Sequence, residues 1–374
     1  MSSYSSRRTK AMYLTVLPFY RENCIQSLFS ESGDTVEIYA GPRQLTATVK
    51  TGIDPTLYQP LRAFFLFGRA IILRDHWLRA INADSLMLDL NPRCLTAWGM
   101  LLARKILKRR TLVWGHLYPR AGAGSWTARL RRSMRTLADG TVLYGFDSVI
   151  PAQKDLPNQP VWVAPNALYP AEALYPARAD NDAKAIVYVG RLVAEKKVDL
   201  LIKAFAQVAH QLGDVRLRIV GAGDALPELK KMTERLGIPE KVEFTGSVMG
   251  VDKLREVYSD AFCSVSPGYV GLSLTQSLGF GVPMLVADDE PHAPEIELER
   301  FGGVARFKED DDIALASLIL SVFDGETTFP TPEKLAAPIK ANYSAESMAR
   351  GLLESLDASP QNLGKEGWPD DDQH

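Results

Sequence analysis

A pair of basic residues near the middle of the chain has the chemistry of a phosphate site. Gly190 and Arg191 come directly after a β-branched run, and Lys196 follows five residues later. Arginine offers a planar fork of donors and lysine a compact charge, so together they suit a diphosphate. The competing interpretation is that both are ordinary solvated cations, with Glu195 as a local partner.

Two further glycine-containing segments lie between a predicted strand and the predicted helix that follows it. Gly221-Ala222-Gly223 is a weak signal by itself, because Leu226 stands where a dinucleotide fingerprint needs its third glycine. A tight turn explains it equally well. The other segment, residues 267–271, precedes a helix that begins near Leu272. Backbone N–H groups at the start of that helix predict an anion site at Gly271, Leu272 and Ser273.

The elements that position these residues alternate along the whole sequence. Short β-branched runs are followed by longer amphipathic runs, including helical patterns at 61–81, 95–108 and 125–137. This alternation predicts parallel sheets covered by helices on both faces. Ligands of such sheets bind at the carboxyl ends of the strands, so we expect the chemistry at the strand-to-helix junctions.

Breaks in the periodicity divide the chain. We expect an N-terminal domain (1–170), a linker rich in Ala, Pro and Asp (171–184) and a second domain (185–343). A C-terminal helix (344–356) should pack back on the N-terminal domain. The acidic tail (357–374) is expected to be disordered.

The formal net charge of −2 conceals two halves of opposite sign. Residues 1–180 carry 23 basic and 13 acidic side chains, whereas residues 181–374 carry 20 and 32. The basic half could meet nucleic acid, an anionic membrane or a phosphorylated substrate.

Cysteine usage and hydropathy exclude several classes of protein. The three cysteines are widely spaced and form no Cys-x-x-Cys pair, which argues against a structural zinc or a disulfide framework and favours a reducing compartment. The densest apolar stretch, residues 63–73, is too short to span a bilayer. No cleavable signal sequence is recognised at the N-terminus.

Residues 185–300 resemble the donor-binding domain of retaining GT-B glycosyltransferases of glycosyltransferase family 4, also called glycosyl transferases group 1. The family pattern runs G-R-L-x-x-x-K, V-G-x-G, F-x-G and then a glycine-rich loop, a helix and G-x-P. Its counterparts here occur in the same order at 190–196, 220–223, 244–246 and 271–283. Agreement of motif, spacing and predicted element makes the resemblance specific.

The resemblance implies an α/β protein of the GT-B fold, with two doubly wound Rossmann-like domains whose parallel sheets face each other across a cleft. It implies transfer of a sugar from a UDP- or GDP-sugar to an acceptor hydroxyl with retention, in the assembly of a cell-surface polysaccharide or lipid-linked glycan. The nucleoside diphosphate sugar is a co-substrate, and no metal or other cofactor is expected. The acidic runs of this chain do not form the Asp-x-Asp motif of metal-dependent glycosyltransferases.

The resemblance also assigns roles to individual residues. Arg191, Lys196 and His116 are the expected catalytic residues, the first two at the diphosphate and His116 at the donor sugar. Donor binding is expected from a larger set of residues: Gly190, Gly221, Gly223, Gly246, Val270, Gly271, Leu272, Ser273, Gln276, Asn166 and Glu295.

Three features depart from the family pattern. The glutamate that usually meets the ribose corresponds here to Gln276, and the one that meets the donor sugar falls near Gly268, where no carboxylate stands. Glu295 is a candidate replacement for the latter. The early Gly-Gly loop is missing, and Tyr20 and Arg21 in its place are expected on the acceptor side.

Two alternatives stay open. The missing glutamate allows a non-catalytic relative that binds sugar nucleotide or serves as a partner subunit. The arginine-rich helix at 125–137 could face nucleic acid, but the chain has no recognised nucleic-acid module and no aromatic stacking pattern. An anionic membrane or lipid-linked acceptor is favoured instead, with the protein in the cytoplasm at the inner face of the plasma membrane.

Overall fold

The computed structural model describes residues 9–33, 35–45, 49–177 and 184–370 of the 374-residue chain. The chain forms two compact units. Unit 1 comprises the residues up to Leu168 together with those from Ser344 onwards, and unit 2 comprises Tyr169–Tyr343.

Two parallel sheets form the centres of the units. In unit 1 the strands are β1 (Lys10–Leu14), β2 (Val36–Ala40), β3 (Gln59–Pro60), β4 (Arg62–Leu66), β5 (Ala70–Arg74), β6 (Ser85–Asp89), β7 (Arg110–Gly115), β8 (Gly140–Leu143) and β9 (Val161–Val163). In unit 2 they are β10 (Ala185–Val189), β11 (Arg216–Val220), β12 (Val242–Gly246), β13 (Ala261–Ser266), β14 (Met284–Ala287) and β15 (Val304–Phe307). The strand orders are β3-β2-β1-β6-β7-β8-β9 and β12-β11-β10-β13-β14-β15, with β4 and β5 forming a separate antiparallel hairpin.

Helices cover the sheets. Those before residue 169 are α1 (Glu22–Ser32), α2 (Trp77–Asn82), α3 (Leu95–Ile106), α4 (Trp126–Leu137) and α5 (Val149–Asp155). The others are α6 (Val198–Val208), α7 (Leu226–Arg235), α8 (Val251–Tyr258), α9 (Leu272–Gly279), α10 (Asp312–Phe323), α11 (Pro332–Asn342) and α12 (Ala345–Asp357). Both units are doubly wound α/β, as the alternation of the sequence predicts.

The apolar pattern explains why these elements form. The central strands β6 and β10 are buried along nearly their whole length, as expected for parallel strands covered on both faces. In unit 2, Leu201, Phe205 and Val208 recur at helical spacing on α6 and pack on Ile186. Helix and sheet therefore bury one continuous core.

Helix α12 belongs to unit 1 although it follows unit 2 in the chain. Met348 and Leu352 pack with Ile25 and Leu28 of α1 in one core cluster. Gly351 lies where a side chain would overlap the carbonyl oxygen of Val163, so α12 and β9 approach backbone to backbone.

The structure corrects two expectations in unit 1. Residues 61–81 are not one helix but the hairpin β4–β5 followed by α2, because their exposure alternates along β4 and the chain reverses at Phe67 and Gly68, both of which have positive φ. The expected disordered tail is packed as far as Asp370. Trp162 donates its indole N–H to the carbonyl of Ser359 at 2.7 Å, and Trp368 donates to Asp147 at 2.7 Å.

Two segments of the expected linker and tail, residues 178–183 and 371–374, lie outside the described residues. Within the expected linker, Ala171–Ala173 form a 3-10 turn that belongs to unit 2.

Candidate functional site

In unit 2, two loops meet where the order of the sheet reverses. The chain continues from β10 to β11 and β12 on one side and returns to β13 on the other. A Cβ on Gly268, in the loop after β13, would lie 2.6 Å from the carbonyl oxygen of Glu195, in the loop after β10. The loops therefore pack closely at the switch point, which is the usual ligand-binding position of an open α/β sheet.

The two expected diphosphate ligands lie in the loop after β10. Lys196 is half-buried, and its Nζ donates to the carbonyl oxygen of Tyr269 at 2.5 Å while lying 4.6 Å from the centre of that ring. Arg191 is exposed, and its carbonyl accepts a hydrogen bond of 2.9 Å from the hydroxyl of Tyr188. The backbone around Arg191 is thus held in place while its guanidinium faces solvent.

The glycines after β11 have a packing role that the motif alone did not specify. Gly221 and Gly223 both have positive φ, and a Cβ on either would overlap a carbonyl oxygen, of Gly190 or of Leu192 respectively. The close approach lets Gly190 donate its N–H to Val220 at 3.0 Å. Gly246 also joins this edge, because its carbonyl accepts from the N–H of Gly221 at 2.9 Å.

The loop before α9 is held by a histidine. The N–H of Val270 donates to Nδ1 of His292 at 3.1 Å, and Nε2 of that ring lies 2.8 Å from the carbonyl oxygen of Ala287. Nδ1 is therefore the acceptor and Nε2 carries the proton. Burial lowers the pKa of His292, which favours this neutral form. Beyond the loop, Gly271 is the N-cap of α9, and Leu272 and Ser273 of its first turn are half-buried.

Two expected donor ligands are buried inside unit 2. Gln276 accepts from the Tyr169 hydroxyl at 2.8 Å and donates to the Tyr258 hydroxyl at 3.1 Å. Its amide thus links two tyrosines, which is a structural arrangement rather than an open ligand site. Glu295 is also buried, in the 3-10 helix Pro294–Phe301.

In unit 1 a pocket of about 280 Å³ opens at the carboxyl ends of β1, β6 and β7. It lies where the order of this sheet reverses, between β1 and β6. Three residues expected from the sequence line it, Tyr20, Arg21 and His116. Four that the sequence analysis did not select line it as well, Asp89, Trp114, Arg131 and Tyr144.

Arg21 is a fixed cation in this pocket. It is buried, and its guanidinium carbon lies 5.6 Å from the centre of the Trp114 ring and 5.1 Å from that of Tyr144. It donates to the amide oxygen of Asn166 and to Sδ of Met348. Asn166, expected to bind the donor, is thus a partner of Arg21 within unit 1.

His116 is held as a neutral base beside cations. Burial, followed by the charges of Arg131, Arg21 and Arg120, lowers the pKa of His116 to about 4. Its ring centre lies 4.8 Å from that of Tyr144. A neutral imidazole can accept or donate a hydrogen bond to a sugar hydroxyl.

Asp89 is a carboxyl group that sequence reasoning missed. Burial raises the pKa of Asp89 to about 6, against the hydrogen bond that it accepts from the N–H of Thr15. The feature that could have identified Asp89 is its position as the last residue of β6, next to the reversal in strand order.

Helix α4 presents a smaller arginine-rich outer face than the sequence suggested, because Arg129 and Arg132 are exposed but Arg131 and Arg135 are not. Arg135 is buried and donates to Asp155 at 2.8 Å, and Arg132 donates to the same carboxylate at 2.5 Å. Arg131 donates to the carbonyl of His116 at 2.8 Å. Three of its arginines therefore serve contacts within unit 1.

Within the described ranges, no group of three or more His, Cys, Asp or Glu side chains is arranged to hold a metal ion. Searching the same residues finds no helix with the length and hydropathy needed to cross a bilayer.

The architecture identifies the class of protein. HepE of Anabaena, solved in complex with UDP, matches with a TM-score of 0.68 and 14% identity over 94% of this chain and 100% of that one. The galactosyltransferase WaaB of the lipopolysaccharide outer core matches with a TM-score of 0.66 and 14% identity over 94% of this chain and 99% of that one. The chain has the GT-B fold.

A family model matches most of unit 2. Residues 176–344 match the model of the family described as glycosyl transferases group 1. This match confirms the resemblance that the motifs indicated for this part of the chain.

Curated relatives match parts of the chain. The gpi3 subunit of phosphatidylinositol N-acetylglucosaminyltransferase of Schizosaccharomyces pombe is 31% identical over 171 residues, 44% of this chain and 37% of that protein. An uncharacterized glycosyltransferase of Methanocaldococcus jannaschii is 32% identical over 110 residues, 29% of this chain and 28% of that protein. The chain thus aligns with about a third of the length of these relatives.

Proposed function

We propose that the protein is a retaining glycosyltransferase that uses a UDP- or GDP-sugar as donor. The observation that carries the proposal is the pair of loops at the switch point of unit 2. Lys196 and Arg191 lie there beside the glycine-rich loop and the start of α9, within the segment matched by the family model. Cations and free helix N–H groups together suit a diphosphate.

In the proposed reaction the bond between the sugar's anomeric carbon and the β-phosphate oxygen breaks, and a bond from that carbon to the acceptor oxygen forms on the same face. The acceptor's proton passes to the departing diphosphate. Negative charge develops on the diphosphate as the bond breaks, and Arg191, Lys196 and the N-terminus of α9 stabilise it. Because these groups belong to the chain, the reaction is proposed to need no metal.

The pocket of unit 1 is proposed to bind the acceptor. His116 is neutral and can hydrogen-bond a hydroxyl, and the half-buried ring of Tyr144 lines the same pocket beside it. Arg21 supplies a positive charge fixed by Asn166, which suits an acceptor that carries a phosphate.

The acceptor class is proposed from relatives. The pneumococcal relative named alpha-monoglucosyldiacylglycerol synthase is 29% identical over 152 residues, and HepE was solved with UDP. A lipid-linked or cell-surface glycan acceptor at the cytoplasmic face of a membrane is consistent with these names. The non-catalytic alternative predicts that donor binds and no glycoside forms.

A donor screen followed by a transfer assay tests the proposal. UDP- and GDP-sugars are screened for thermal stabilisation, and the stabilising donor is incubated with lipid-extract or glycan acceptors in EDTA. We expect release of nucleoside diphosphate and a product whose anomeric configuration by NMR matches that of the donor. An inverted product would contradict retention, and binding without transfer to any acceptor would favour the non-catalytic alternative.

A further inference from the structure

The hairpin β4–β5 has an apolar outer face. In β4, Phe64 and Leu66 are exposed while the alternate residues Ala63 and Phe65 turn towards the core of unit 1. Phe64 pairs with Ile72 of β5, so the two side chains share a face. An exposed, contiguous apolar surface of this kind marks an interaction site.

The tip of the hairpin extends this surface. Phe67 is 96% exposed, and with Gly68 it forms a two-residue turn in which both φ values are positive. The N–H of Arg69 closes the turn by donating to the carbonyl of Leu66 at 2.8 Å. Asn, Asp and Gly favour the first position of such a turn, whereas an aromatic residue there is strained and exposes its ring.

Arginines surround the apolar residues. Arg62 and Arg74 face each other at the base of the hairpin, and the guanidinium of Arg74 lies 5.2 Å from the centre of the Phe64 ring. Arg69 follows the tip. Residues 62–79 carry four arginines against one acidic residue, Asp75, which pairs with Arg62 at 2.5 Å.

Helix α2 continues the patch. Trp77 and Leu78 are exposed, and the indole N–H of Trp77 donates to the carbonyl of Leu73 at 3.1 Å, which fixes the ring next to β5. A groove between the base of the hairpin and α2 is lined by Arg62, Arg74 and Arg79 together with these two residues.

We propose that this hairpin patch, residues 62–79, docks unit 1 on an anionic lipid bilayer. The ring of Phe67 and the side chains of Phe64 and Leu66 would enter the boundary between headgroups and acyl chains. Arg69 and Arg74 would meet lipid phosphates, and Trp77 would lie at the interface, where tryptophan is favoured. The patch combines positive charge with apolar side chains at its tip. This combination is complementary to the surface of an anionic membrane, and less so to water or to a neutral protein surface.

The proposal differs from the expectation drawn from the sequence. The arginine-rich helix α4 suggested the membrane-facing surface, but three of its arginines contact groups within unit 1. The sequence pattern predicts a helix over residues 61–81, which include the hairpin patch. Docking requires neither donor nor acceptor, so its test is separate from that of the proposed reaction.

Vesicle flotation of the full chain tests the proposal. Liposomes of phosphatidylcholine alone are compared with liposomes that contain 30–40% phosphatidylglycerol, roughly the anionic fraction at which basic segments bind. We expect binding to the anionic vesicles only, weakening as salt is raised. F67S should reduce the binding on the order of tenfold, because it removes an aromatic ring that the bilayer would bury. R69E with R74E should abolish it.

The controls make the result decisive. Ile313 is an exposed apolar residue of unit 2, and I313S should bind anionic vesicles like the wild type. Because Phe67 is almost fully exposed, F67S should unfold at the wild-type temperature. Equal binding of F67S and I313S, or no binding of the wild type, would overturn the proposal. A change in oligomeric state of F67S by light scattering, without vesicle binding of the wild type, would instead assign the patch to contact between copies of the chain.

Discussion

Lys196 donates a hydrogen bond to the carbonyl oxygen of Tyr269 at 2.5 Å and so links the loop after β10 to the loop after β13. This contact places an ammonium group beside the glycine-rich loop at the switch point of unit 2. Val270 is held by His292 one residue further on. The loop is thus fixed on both sides before any ligand arrives, which is how a preorganised anion site reduces the cost of binding.

Because the loops pack closely at this edge of the sheet of unit 2, two glycine substitutions should differ greatly in their effect on the free energy of unfolding. G221A should destabilise unit 2 by more than about 2 kcal/mol, because the new Cβ overlaps the carbonyl oxygen of Gly190 and φ is positive. Gly213 also has positive φ but has no neighbouring atom within 4 Å of the position of a Cβ. G213A should therefore cost only about 1 kcal/mol.

These two variants are compared by urea unfolding followed by far-UV circular dichroism. All six tryptophans lie in unit 1, so tryptophan fluorescence reports that unit alone and should change little in either variant. Similar losses in G221A and G213A would show that the two loops do not pack as described.

His116 makes the stability of unit 1 depend on pH. Its pKa in the folded chain is lowered to about 4, from an ordinary value near 6.5, so the unfolded chain binds the proton more readily. The contribution of His116 is fully present above pH 6.5 and is lost as the pH falls towards 4. In H116N the decrease in unfolding free energy over this range should be smaller, measured by tryptophan fluorescence in urea. An unchanged pH dependence would mean that the imidazole is not buried.

Asp89 should act in the opposite direction. Its pKa is raised to about 6 in the folded chain, so the folded state holds the proton more tightly than the unfolded state does. Ionisation of Asp89 therefore lowers stability as the pH rises from about 4 to 6. The unfolding free energy of D89N minus that of the wild type should be larger at pH 7.5 than at pH 4.5, by the same fluorescence measurement. A constant difference at the two pH values would contradict a raised pKa.

The fold could be predicted from the sequence because parallel strands that are buried on both faces consist of nearly continuous apolar residues. The same signal misled at residues 61–81, where the apolar run fits a helix as well as it fits a hairpin. Only the exposure of Phe64 and Leu66 against the burial of Ile71 and Leu73 distinguishes the two structures, and burial depends on the rest of unit 1.

The part of the candidate site that lies in a single loop could be predicted from the sequence. Arg191 and Lys196 lie in a single loop after β10, so their proximity follows from the local sequence. Gln276 could not be interpreted in the same way, because Tyr169 and Tyr258, which hold its amide, come from distant segments. The pairing of Arg21 with Asn166 likewise joins residues 145 positions apart.

The central claim is that Arg191 and Lys196 bind the diphosphate of the donor. Isothermal titration of UDP and GDP into the wild type, R191A/K196A and K203A tests it most directly. Lys203 is a lysine on the neighbouring helix α6 that pairs with Asp199 at 3.0 Å, so K203A removes a nearby positive charge outside the proposed site. We expect one nucleotide to bind the wild type and K203A equally well and the double variant at least about 100-fold more weakly, since two charged hydrogen bonds of about 1.5–3 kcal/mol each are lost. Equal affinity of the double variant, or no binding of either nucleotide to the wild type, would contradict the claim.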